Sequence, residues 1–126
     1  MPYIKSDDDR REALQKGDTA RSAGELNYQI FYYVKHYDWR KSNLFYYNYY
    51  HDIERDIRQF IVKFLGENPN YQKYNDMTGC LIRCYKEIYR RLHIDLEDVF
   101  IKLIKEWDFT IAGYEDIKIR ENGDVE

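Results

Sequence analysis

A chain of 126 residues with twenty basic and twenty-three acidic side chains carries a formal charge of −3, which supplies no global attraction for nucleic acid or anionic lipid. Its length suits one helical domain, 1–126, able to remove about two-thirds of its unfolded surface from water. With 34% charged residues, 17% aromatics, six Gly and two Pro, it is neither disordered nor of low complexity.

The opening MPYIKSDDDRR lacks the apolar h-region of a signal peptide, and no window approaches the ~18 apolar residues of a membrane span. The expected location is the cytosol, with no membrane association. Pro2-Tyr3-Ile4 is too short for a helix and reads as extended. Ser6-Asp7-Asp8-Asp9 then supplies a cap and N-terminal negative charge for a short polar helix near 7–16, ended by Gly17. Ser22-Ala23-Gly24-Glu25 is an S-x-x-E capping box, and Leu26, Ile30, Tyr33, Val34 and Tyr37 follow it at helical spacing.

A polar break at 40–43 leads to a longer amphipathic helix with Tyr46, Tyr50, Ile53, Ile57, Phe60, Ile61 and Phe64 on one stripe, stopping at Gly66. The next helix, about 71–92, buries Met77, Cys80, Leu81, Cys84, Tyr85, Ile88 and Leu92. Within it Gly79 reads as the mark of a close helix crossing, since glycine there costs about 1 kcal/mol relative to alanine. Asp95 caps a fourth segment carrying Leu96, Val99, Phe100, Leu103, Ile104 and Trp107. Beyond it, 109–113 and 117–120 read as extended, with Asn122-Gly123 as a turn, so the two chain ends are expected to pair as strands. The fold class is therefore mainly α: a compact bundle of three to four main helices, a short N-terminal helix and extended, β-paired termini.

No metal-site spacing, phosphate loop or nucleophile signature is present. Cys80 and Cys84, four apart on one helix, read as reduced core residues rather than a disulfide or half of a zinc site. His36, His51 and His93 read as packing residues. No cofactor or metal is expected. The most unusual feature is a concentration of eight of the fourteen tyrosines between Tyr28 and Tyr50. One monomer cannot bury rings that point around most of a helix's circumference, so Tyr28, Tyr32, Tyr47 and Tyr49 are read as an interface.

Four blocks, MPYIKSDDDR, AGELNYQI at 23–30, the run from Tyr74 through Glu87-Ile88-Tyr89-Arg90-Arg91, and YEDIKIRENGDV at 114–125, resemble a family of small phage and bacterial proteins. That family has an MPYI N-terminus, a GELNY helix, an E-x-YRR segment and a YED-x-KI-x-ENGDV C-terminus. The chain departs from the pattern in an expanded aromatic stretch at 38–66, in an insertion at 93–113 and in Glu126, where an aromatic would fit. The resemblance implies a phage-associated or mobile-element context, not a reaction. It also implies a shared polar pocket of Glu25, Asn27, Arg90, Arg91, Glu115 and Asp116, or a structural tie in which Arg90 or Arg91 pairs with Glu115 or Asp116.

The function expected is a non-enzymatic interaction protein that self-associates, or meets a protein partner, through the aromatic surface. One alternative is a magnesium-dependent nucleotide (pyro)phosphohydrolase using Glu25, Asp52, Glu54 and Asp56. Another, less favoured, is nucleotide or nucleic-acid sequestration through Arg83, Lys86, Tyr89, Arg90 and Arg91.

Overall fold

A computed structural model describes residues 9–38 and 46–124, the side chains of 46–49 excepted. The chain is mainly helical, with α1 Asp9–Gln15, α2 Ala23–Lys35, α3 Tyr46–Leu65, α4 Tyr71–Leu92, α5 Glu97–Glu106 and α6 Asp108–Asn122. No strand occurs among the described residues, and none of their helices is long and apolar enough to cross a membrane.

Several boundaries have a local cause. Gly17, at φ 97°, carries the chain out of α1 in a conformation that a Cβ would disfavour. Ser22 Oγ accepts from the Glu25 backbone N–H at 3.2 Å, so the capping box opens α2. Asn70 Oδ1 accepts from Lys73 N at 2.9 Å and opens α4, which ends in the left-handed cap His93. The start of α5 uses Asp95, whose Oδ1 takes the Glu97 N–H at 3.1 Å although the helix itself begins two residues later.

The core is continuous across α1 to α5. Leu26, Ile30 and Val34 of α2 face Met77, Cys80, Leu81, Cys84 and Ile88 of α4, the principal helix contact. Ile53, Ile57, Ile61 and Phe64 of α3 complete the floor, and Val99, Phe100 and Leu103 of α5 close the remaining side. Leu14 seals the α1 edge. Gln29 is buried beneath that edge and donates to the carbonyls of Leu14 and Asp18, at 3.0 and 2.8 Å, satisfying backbone groups left over where α1 ends.

Two expectations need correction. The segment expected to be extended at 109–113 and 117–120 is helical, and Asn122-Gly123 is its stop rather than a hairpin turn. The physical reason is a stripe at i, i+4, i+7: Trp107, Ile111 and Tyr114 pack against the core only if the backbone is helical. Lys118 and Glu121 pair at 3.3 Å one turn apart along the same helix. The other half of the expected strand pair, Pro2-Tyr3-Ile4, lies outside the described residues, as do the Ser6-Asp7-Asp8 cap and the polar break at 40–43. Gly79, expected at a close helix crossing, is exposed, and a Cβ built there meets nothing within 4 Å.

Candidate functional site

The acids and bases that the sequence singles out fall into separate pairs. Glu25 is bound by Arg10 of α1 through two hydrogen bonds, at 2.8 and 3.2 Å, and also accepts the Arg21 backbone N–H at 2.9 Å. Arg10 continues to Asp18 at 2.8 Å, so the pair clamps α1 and its following loop onto α2. The Arg10 guanidinium holds the Glu25 carboxyl below its usual range against the opposing pull of burial. Glu54, on α3, instead faces α5. It binds Lys102 and Arg58 at 2.8 Å each, and Arg58 continues to Glu106 at 2.7 Å.

Asp52 and Asp56 lie on a third side, against α2. Tyr33 donates a short hydrogen bond to Asp56, and the Tyr37 hydroxyl donates to Asp52 at 3.3 Å. Arg55 lies beside both acids, at 3.6 and 3.1 Å. Burial, then the neighbouring Asp56 carboxylate, push the Tyr33 phenol well above its ordinary range, so it acts as a fixed donor. Glu25, Asp52, Glu54 and Asp56 therefore do not converge on one cavity. Among the described residues no group of three or more His, Cys, Asp or Glu is arranged to hold a metal ion.

The six residues of the expected polar pocket are also dispersed. Asn27 is buried between α2 and α4, where its carbonyl faces the Cys84 thiol at 4.0 Å. Arg90 bonds Glu87 at 3.0 Å on the outside of α4. Glu115 and Asp116 belong to α6, near the opposite end of α4: the neighbouring Tyr114 packs on Tyr74 and its hydroxyl accepts from the Tyr71 N–H at 3.1 Å. Sixteen residues of helix between Tyr74 and Arg90 span about 24 Å, so these acids and Arg90 do not share a pocket.

The aromatic face of α2 does gather residues. Tyr28 and Tyr32 stack with ring centroids 6.0 Å apart, and Tyr32 leans on His36 at 4.3 Å. The Arg11 guanidinium lies over Tyr28 at 5.3 Å, and that of Arg91 lies over Phe31 at 4.6 Å. Both Tyr28 and Tyr32 are half-buried, while the side chains of Tyr47 and Tyr49 lie outside those described. Two cavities adjoin along Tyr32 and His36. One, of about 370 Å³, is lined by Tyr33, Tyr37, Asp38 and Asp56; the other, of about 290 Å³, by Arg11, Lys35, Phe31 and Arg91.

Sequence reasoning placed Tyr28, Tyr32 and Arg91 among candidate residues but assigned them to different surfaces, and it missed Arg11. A cation sixty residues from its neighbours in the chain leaves no local signal, and only the packing of α4 along α2 brings Arg91 to Phe31. No protein-family model, curated protein or solved structure matches this chain.

Proposed function

We propose that the chain is a non-enzymatic interaction protein that assembles with a second copy of itself through the outward face of α6, in the phage-associated setting its sequence resembles. The observation that carries this reading is that α6, fifteen residues long, has no buried residue and leaves Phe109 91% exposed. An isolated helix of about 12–15 residues is marginal in water, and α6 touches its own chain chiefly along Trp107, Ile111 and Tyr114.

At about 100° per residue, Phe109 stands opposite that anchoring stripe, flanked by the exposed Ile117 and Ile119. A helix with apolar residues on opposite faces is one suited to cover on both. Ala112 and Gly113 share the Phe109 side and allow close approach. An antiparallel copy crossing at Gly113 sets Phe109 of each chain against Ile117 of the other. That self-complementarity favours a two-fold pair over an unrelated partner.

Because Tyr28 and Tyr32 are partly covered by Arg11 and His36, they contribute less free apolar surface than α6 does. One helix face is small beside the about 800 Å² per partner of a standard interface, so the dimer is expected to be weak and concentration-dependent. Light scattering over a concentration series tests this. The apparent mass should rise toward twice that of the monomer, and Phe109→Asp should hold it at the monomer value with unchanged helical circular dichroism. A constant monomer mass at every concentration would overturn the reading.

A further inference from the structure

The seam between α2 and the first half of α4 opens to solvent as a groove of about 430 Å³. The two helices run in the same direction, because Cys80 Sγ reaches the Ala23 carbonyl at 3.6 Å and Cys84 Sγ reaches that of Asn27 at 4.0 Å, one turn further along both. Ala23 and Gly24 on α2 and Gly79 on α4 bring no bulk to the groove, and a Cβ at Gly79 meets nothing within 4 Å. Small residues alone define only a gap. Asn27 gives it chemistry: the residue is 5% exposed, lines the groove, and has a side-chain amide with no hydrogen-bond partner among the described residues. A buried amide left unpaired is costly, because it has given up water without replacement. We propose that this groove binds an extended peptide segment of a partner protein, with one peptide group paired to the Asn27 amide, a cationic side chain at Asp76 and a carboxylate at Arg83.

Three features lead to that occupant. First, a primary amide offers N–H donors and a C=O acceptor side by side, the complement of the C=O and N–H of a peptide group. A helix spends those groups on its own ladder, so an extended segment presents them and a packed helix of a second copy does not. Second, the two ends of the groove carry opposite charge. Asp76 accepts from Gln72 Nε2 at 2.8 Å through Oδ1 alone, and its charge adds to burial in raising the Cys80 thiol at the groove floor. Arg83, at the other end, is exposed and has no ion pair or hydrogen bond among the described residues. The acid one turn beyond it, Glu87, is taken by Arg90 at 3.0 Å. Third, the seven helical steps from Asp76 to Arg83 cover about 10.5 Å, which three steps of extended chain, about 10 Å, nearly match. The segment is therefore about four residues long, with opposite charges at its ends and small residues between, where Gly24 and Gly79 let its backbone come close.

The groove shares no residue with α6, so its fate does not depend on self-association. The test is a nuclear magnetic resonance titration of the full chain with acetyl-Lys-Ala-Ala-Glu-amide and acetyl-Glu-Ala-Ala-Lys-amide, which present the two charges in either chain direction. One of them should shift the Asn27 side-chain amide signals saturably below about 10 mM. The Lys-Ala-Ala-Lys and Glu-Ala-Ala-Glu counterparts should bind at least about threefold more weakly, since each loses one ion pair. Arg83→Gln should weaken the bound peptide by about three- to fivefold and lower its salt dependence. Asn27→Ala should weaken it by at least about tenfold through loss of the amide pairing. Gly79→Leu keeps a good helix former in α4 and fills the open groove, so it should remain folded by circular dichroism and lose binding. Phe109→Asp should bind as the parent does. Absence of a saturable shift with both mixed-charge peptides, equal binding of the like-charged ones, unchanged affinity in the Gly79→Leu variant, or tighter binding of a six-nucleotide single strand would each overturn the proposal.

Discussion

Cys80 and Cys84 show how position decides the chemistry of a residue type. Both thiols are buried between α2 and α4, with Cys80 Sγ 3.6 Å from the Ala23 carbonyl. Burial, with a smaller push from Asp76, raises the Cys80 thiol to about 12, and burial raises that of Cys84 well above its ordinary value. The thiolate is the reactive form, so the native protein is expected to resist a thiol reagent at pH 8 and to take up two equivalents once unfolded. Rapid labelling of either cysteine in the folded state would contradict that placement. The reading of both as core residues needed only helical spacing, because i, i+4 residues on an apolar stripe face inward together. The partners of charged residues were less legible. Arg10 reaches Glu25 fifteen positions away, and Lys102 reaches Glu54 forty-eight positions away, and neither separation leaves a local pattern.

At the level of elements, a boundary could be read wherever a cap or a glycine enforces it. The box at Ser22 and Glu25 fixes the start of α2, and the stripe from Met77 to Ile88 fixes the buried side of α4. The last helix was misread because four alternating residues, Ile117-Lys118-Ile119-Arg120, fit a strand as well as they fit a helix whose apolar side chains lie on more than one face. Only the longer Trp107, Ile111, Tyr114 spacing distinguishes the two, and it spans the boundary between α5 and α6. Gly79 was also misjudged, because sequence shows that a glycine is present in a helix but not what stands beside it. It has helical backbone and open space where a Cβ would go. Gly79→Ala should therefore stabilise the protein by about 0.5–1 kcal/mol through restriction of the unfolded chain. Thermal melts should show the increase, and a decrease would mean that the position is in contact after all.

Across the whole molecule, the ion pairs that tie helices together set a pH window for stability. Burial raises the Glu54 carboxyl, but the hydrogen bonds and charges of Lys102 and Arg58 outweigh it, and the folded value lies below the ordinary 4.5. Glu25 is lowered in the same direction, chiefly by Arg10, as is Asp18. A carboxyl depressed on folding contributes stability that is present above its unfolded value and lost as pH falls through the folded one. The melting temperature should therefore stay nearly level from pH 7 to about 5 and decline below about 4.5. Tyr33 acts at the other end: its raised phenol favours the folded state until the unfolded chain begins to ionise near pH 10, above which stability is lost as pH rises. Glu54→Gln isolates the acid limb. Lys102 and Arg58 are 59% and 35% exposed, so water takes over part of their pairing and the substitution should cost only about 1 kcal/mol at neutral pH. Because glutamine cannot titrate, the variant should lose less on acidification, and the two melting curves should converge below pH 4. Parallel curves from pH 7 to 3 would show that Glu54 has no depressed ionisation and that the link between α3 and α5 rests on packing alone.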